Sequence, residues 1–272
     1  MRHFHFSRYL ATVLMAGPGL LVIGSAQAQA RPPAQVPAES IEAPHAVDQT
    51  QWALGAAFNS QNSPYRGVTK RVSAIPLVLY ESRYLHFFGT TFDLKLPTIA
   101  DQLQFTFRAK YALGDGYKAS DSANLQGMED RKGSVWGGVT AVWDNPFVKL
   151  SAELLTAGST KGSTVKLSAE HGFIVDSRFK LTPHASAVRM NSQYVDYYYG
   201  VKSNEVTADR AAYTGQSTTN VEVGLRADYA LTPKQLILLD VSETRRGSGI
   251  TNSPLVDKSS SFGFRLGYLY KF

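Results

Sequence analysis

The chain has 272 residues, no cysteine, 43% hydrophobic and 18% charged residues, and a formal charge of +6. Fourteen Tyr, fourteen Phe and three Trp supply too much apolar surface for a disordered chain, and the lack of cysteine excludes a disulfide scaffold, a Cys-ligated zinc and a Cys nucleophile. A helical membrane protein is disfavoured, because no run beyond the extreme N-terminus approaches the ~20 apolar residues that a spanning helix needs.

In chain order, the first segment reads as an export signal over residues 1–28. Arg2 and Arg8 precede a mostly apolar run over 9–23, broken by Gly17-Pro18-Gly19. Ala26-Gln27-Ala28 then offers small residues for cleavage, and Ala28-Gln29-Ala30 offers a second cut. The interrupted run argues against an uncleaved anchor helix. Cleavage after residue 28 removes two Arg, so the balance falls from +6 to +4. Residues 29–50 follow as a periplasmic linker with four Pro and no aromatic residue. Such a stretch is extended and solvated, with a reach of roughly 70 Å. It is read as a spacer, with a docking arm as the alternative.

From Trp52 onward the pattern has period two. In residues 102–111, Leu103, Phe105, Phe107, Ala109 and Tyr111 alternate with Gln102, Gln104, Thr106, Arg108 and Lys110. Residues 220–229 and 262–272 repeat the alternation, and 147–155 and 164–173 do so more weakly. Further strands are expected at 52–59, 72–81, 85–96, 135–144, 178–191 and 235–244. These make eleven in all. Tight turns at Asn145-Pro146, 174–177 and 230–234 oppose long polar loops at 113–133, 192–216 and 246–259. Short turns at one end and long loops at the other describe an outer-membrane barrel.

A soluble barrel would show the same alternation, so other features decide. The chain is exported, its last strand ends on Phe272 with Tyr268 and Tyr270 before it, and aromatics recur at strand ends (Tyr80, Tyr84, Tyr111, Trp136, Trp143, Tyr229). The polar faces carry Arg108, Lys110, Lys149, Glu153, Lys166, Glu170, Arg226 and Arg265, which suit a wet lumen. Residues 51–272 are therefore expected to form an all-β, antiparallel up-and-down transmembrane barrel of 10–12 strands in the outer membrane of a Gram-negative cell. Bacterial single-chain barrels have even strand numbers. Either 52–59 is not a full crossing, which gives ten, or a hidden crossing gives twelve, and 193–201 is the expected hiding place.

Several spaced segments resemble the MltA-interacting protein (MipA/OmpV) family. They are Pro64-Tyr65-Arg66-Gly67, then Ile75-Pro76-Leu77 with Tyr80, then Leu125-Gln126-Gly127-Met128-Glu129-Asp130-Arg131. Further on come residues 194–201 (Y-V-D-Y-Y-Y-G-V) with Tyr213, Ser253-Pro254-Leu255-Val256, and the closing Gly267-Tyr268 and Phe272. The resemblance covers about 52–272. Thr244-Arg245-Arg246-Gly247-Ser248-Gly249 departs from it, being richer in basic and small residues. The resemblance implies a non-enzymatic scaffold in the outer membrane. It would link a lytic transglycosylase (a murein hydrolase) and a bifunctional murein synthase at the peptidoglycan side of the cell envelope. A small pore or transporter and an adhesin using 192–216 are the alternatives.

No catalytic, cofactor-binding or metal-binding residue is expected. His45 lies in the linker, His86 near a strand start, and His171 faces away from its neighbour Glu170. His184 and Ser186 share a face, and a hydrolase constellation with Asp176 or Asp196 can be drawn, although nothing in the spacing demands convergence. Asp115 reads as a turn residue. Asp121, Glu129 and Asp130 form at most a weak cation site. Arg245-Arg246 is a candidate contact for lipopolysaccharide phosphate, with outer-membrane lipid the general surrounding. No nucleic-acid partner is expected from a small, dispersed charge.

Overall fold

In the computed structural model, residues 50–68, 70–98, 100, 102–112 and 116–272 are described. The proposed signal segment and nearly all of the linker, with His45, lie outside them, as does Asp115. Thirteen strands follow in order: β1 Gln51–Asn62, β2 Lys70–Glu81, β3 Leu85–Phe88, β4 Thr91–Lys95, β5 Leu103–Tyr111, β6 Val135–Asp144, β7 Lys149–Thr156, β8 Ser163–Glu170, β9 Phe173–Ile174, β10 Phe179–Met190, β11 Thr218–Thr232, β12 Gln235–Arg245 and β13 Ser260–Lys271. Each pairs antiparallel with its neighbours, β11 also pairs β10, and β13 pairs β1. The sheet is closed. Because β8 and β9 both pair β10 as two pieces of one strand, the barrel has twelve crossings.

The registers confirm the period-two reading. On β1, Trp52, Leu54 and Phe58 point outward and are exposed, whereas Ala53 is fully buried inside. On β5, Phe107 points outward while Arg108 faces the lumen and pairs there. An outward apolar face with charges inside is the arrangement a bilayer demands of a barrel.

The strand that was hard to count lies elsewhere than expected. Residues 52–59 belong to a full crossing. The run 85–96 is two strands, joined by the two-residue turn Gly89-Thr90, with Phe88 opposite Thr91. Gly89 adopts φ +59, as the first central residue of a type II′ hairpin turn does. Residues 193–201, the expected crossing, instead form helix α1, Ser192–Tyr199, N-capped by the Asn191 side chain, which accepts the Tyr194 N–H. Three adjacent tyrosines look like a strand, but the Asn191 cap and the burial of Val195 and Tyr198, three apart, make a helix the better fit.

Replacing Gly89 by Val forces a β-branched residue into the left-handed region. The expected cost is about 1–2 kcal/mol, read as a lower urea midpoint for the refolded barrel in micelles, with Thr90→Val as a neutral control.

Candidate functional site: the lumen and its cap

The inward residues divide the lumen in two. From β4 to β11 many of them are charged and lie in ion pairs. Arg108 donates to both oxygens of Asp93 at 2.7 Å and also to Glu153 on β7. Glu170 accepts from Arg226 at 3.0 Å and faces Lys149 at 3.4 Å. Glu81 holds both His86 and Lys95 at the short-turn end. Thr106 and Thr140 share a hydrogen bond at 2.6 Å. The opposite wall is apolar: Ala53, Leu77, Leu236 and Leu269 pack together with Ala57, Leu79, Phe88 and Leu238.

His184 illustrates how small residues extend this network. Its partner across the register on β11 is Gly224, where a Cβ would lie 2.4 Å from the His184 ring. The ring therefore crosses β11 and meets Asp240 of β12 at 2.8 Å. The hydrolase constellation is not assembled. Asp176 caps its own turn, accepting the N–H groups of Arg178 and Phe179. Asp196 accepts the Gly215 N–H. Ser186 is buried on the same face as His184, but the carboxylate at His184 is Asp240. His171 sits edge-on against Phe173, and His86 is buried against Glu81.

The long loops build a cap. Tyr65 is buried, stacks on Tyr199 at 5.4 Å, meets Tyr117 edge-on at 4.8 Å, and donates its hydroxyl to the Tyr198 carbonyl. Leu125, Met128, Val201 and Leu255 complete this cluster. Arg66 N–H bonds the Leu255 carbonyl, joining the first loop to the last. Ser253 donates to the Tyr199 carbonyl at 2.6 Å, and Tyr213 to that of Gly249 at 2.7 Å. Helix α1 lies against the inward rim residues Trp136, Leu155 and Met190. Every loop segment that carried the family resemblance (64–67, 125–131, 194–201, Tyr213 and 253–256) is part of this cap.

Two buried charged residues, Glu205 in an ion pair and Arg210 through backbone carbonyls, fasten it, and neither is evident from the sequence. Glu205 is 2% exposed. It accepts the N–H groups of Glu129 and Lys202 and both oxygens face Arg131 at 3.0 and 3.1 Å. Arg210 donates to the carbonyls of Glu205, Asn124 and Gln126. Burial alone would push the Glu205 carboxyl up. The two N–H donors and Arg131 outweigh it and hold the group below the usual carboxylate range. Burial pushes Tyr117 up to about 12. A single short Glu or Arg in a polar loop gives no sequence signal for such pairing.

The expected weak cation site is committed otherwise. Asp130 accepts the Ala119 N–H, Asp121 accepts that of Lys118, and Glu129 pairs with Lys202. No group of three or more His, Asp or Glu placed to hold a metal occurs among the described residues. Arg246 turns into the rim and donates to the Lys258 carbonyl and Ser261, which leaves Arg245 as the exposed member of that pair.

A closed twelve-crossing barrel with an apolar belt, a charged lumen and capping loops defines an outer-membrane β-barrel protein. The chain belongs to the MltA-interacting protein family, whose model matches residues 54–272. It is 27% identical to YiaT of Escherichia coli K12 over 228 residues, covering 80% of this chain and 89% of that one. It is 31% identical to the outer membrane protein OmpV of Vibrio cholerae, over 56% of this chain and 60% of that one. It is 24% identical to the MltA-interacting protein of Escherichia coli K12, over 82% and 90%.

The sign of the Glu205 shift sets a pH dependence. Its folded pKa is depressed, so its stabilisation is present above the ordinary carboxylate value and is lost as pH falls through the folded one. Pepsin cleavage within 192–216 is expected to rise below about pH 4, and Glu205→Gln is expected to flatten that dependence. Arg131→Ala leaves a buried carboxylate without its cation, a loss of about 3–5 kcal/mol. It should appear as faster hydrogen exchange in the cap with the barrel strands still protected.

Proposed function

We propose that this chain is a non-enzymatic scaffold that holds a lytic transglycosylase and a bifunctional murein synthase at the inner face of the outer membrane. The observation that carries this reading is a difference between the two ends. At the long-loop end the large apolar side chains of the described loop residues, Val206 apart, are buried or half-buried in the cap. At the short-turn end they are displayed: Phe147 is 83% and Ile174 76% exposed, with Tyr84, Phe173 and Val175 also open. Short turns face the periplasm in barrels of this kind, and exposed apolar clusters rimmed by polar residues mark interaction surfaces. The name of the Escherichia coli relative, MltA-interacting protein, supports the same reading.

The cap and the cross-lumen ion pairs weigh against an open aqueous pore. The tyrosines of 192–216 are largely engaged in the cap, which weighs against their serving as an adhesive surface. In this reading the linker over 29–50 is a spacer between the signal segment and the barrel, and the turns make the contacts.

Phe147→Asp combined with Ile174→Asp is expected to reduce crosslinking to a lytic transglycosylase at least roughly tenfold, the factor for 1.4 kcal/mol, with heat-modifiable mobility of the barrel unchanged. Deleting 31–48 should leave crosslinking intact. Stable single-channel steps in a planar bilayer would instead favour the pore.

A further inference from the structure

Among the described residues of strands β5 to β13, three charged side chains stand at outward positions: Arg189 on β10, and Glu243 and Arg245 on β12. All three lie close to the long loops. The registers fix their direction. Arg189 is opposite Val165 and Thr219, Glu243 is opposite Val223 and Phe262, and Arg245 is opposite Val221. Those four apolar partners open to the outside of the barrel, at 41% to 55% exposure. Both arginines are exposed beside them. A cation on the lipid face is costly at the bilayer midplane and tolerated near the interface. There its stem lies along apolar surface while its head reaches the polar groups of the lipid. The loop-side interface is that of the outer leaflet.

Beneath these arginines the outer wall is hollowed. Ala187 and Ala185 follow Arg189 toward the midplane on the same face of β10. Ala185 is opposite Ala169, and further along the sheet Ala141 is opposite Ala152. These small side chains leave a furrow of about 610 Å³, walled by larger ones such as Leu103, Trp143 and Leu167. It crosses from β5 to β11, which is five strand spacings or roughly 24 Å. One end lies toward the short turns at Leu103 and Trp143. The other ends between the arginines, because Val221, its last wall, is opposite Ala187 on one side and Arg245 on the other.

The spacing of the charges narrows the choice of occupant. Arg189 and Arg245 are two strands apart and offset by two residues along the strands. Strand spacing and rise then put their Cα atoms roughly 12 Å apart. Arg189 also donates to the Thr219 hydroxyl at 3.4 Å. Glu243, two residues deeper than Arg245, offsets part of the charge, and the head of the furrow stays net positive. Guanidinium groups match phosphate bidentately. An ordinary glycerophospholipid brings one phosphate. A disaccharide phosphorylated at both ends brings two, across a span that both arginines reach, with acyl chains attached.

We propose that Arg189, Arg245 and the furrow beneath them dock one saccharolipid of the outer leaflet, a diphosphorylated and acylated disaccharide of the lipopolysaccharide type. One phosphate sits on each guanidinium, and one acyl chain lies in the furrow over Ala187, Ala185 and Ala169. This role is independent of the scaffold reading, which rests on the short turns.

The test is native mass spectrometry of the full barrel in detergent micelles, titrated with diphosphoryl lipid A. Binding of one lipid per barrel is the expected result. Arg189→Gln combined with Arg245→Gln should weaken it at least roughly tenfold. Ala185→Trp fills the furrow, keeps both arginines, and should weaken it as well. Monophosphoryl lipid A should bind the unaltered barrel more weakly than the diphosphoryl form. Arg178→Gln, at the short-turn end, is the control and should change nothing, and heat-modifiable mobility reports that each variant is folded. Unchanged binding by the double arginine variant or by Ala185→Trp would overturn the proposal, as would equal affinity of the unaltered barrel for diphosphoryl lipid A and phosphatidylglycerol.

Discussion

Hydrocarbon offers no partner to a peptide N–H or C=O, so a chain that crosses a bilayer as strands has to pair each strand on both sides and close the sheet upon itself. In this molecule closure comes from pairing β13 with β1 over nine residues and β10 with β11 over twelve. The other features follow from it. Alternation places one face against lipid and the other in a narrow space, and that space forces the inward charges into pairs. Arg108 between Asp93 and Glu153, and Glu170 between Lys149 and Arg226, are consequences of confinement as much as of sequence.

The two ends solve different problems. The loops on one side bury Tyr65, Leu125, Val195 and Ile250 and tie themselves together through Glu205 and Arg210. The turns on the other are too short to bury anything, and their apolar side chains remain outside. The proposed scaffold role calls for a stiff body and an accessible face, and this asymmetry is consistent with both. The family resemblance, read from segments that all but two lie in the cap, identifies the body more directly than it identifies the face.

Much of the fold was legible because period-two alternation is a direct image of the two environments. The outward faces of β5, β11 and β13, and the positions of the long loops, could be read from residues 102–111, 220–229 and 262–272. The strand count was not legible, because Gly89-Thr90 lacks the Asn-Gly or Asp-Gly signature of most two-residue hairpins and lies inside a run that looks continuous. Helix α1 was missed for a related reason: Tyr197-Tyr198-Tyr199 has strand character locally, and only its packing over Trp136 and Leu155 makes a helix the lower-energy choice. The sequence places His184 on one face with Ser186, but its carboxylate partner, Asp240, is 56 residues away and reached only because Gly224 has no side chain. Ion pairs between distant loops, such as Arg131 with Glu205, leave no local pattern at all.

The bond from Arg66 to the Leu255 carbonyl joins residues 189 positions apart in a chain whose first and last strands must already be adjacent. Loop closure over so many residues is entropically deferred. The cap is therefore a feature of the finished molecule alone. A barrel still lacking β13 would present its tyrosines and its Glu129–Arg131 segment loosely, and only the arrival of the last strand would hide them. A closed cap thus distinguishes a fully assembled barrel from a partly inserted one by surface alone.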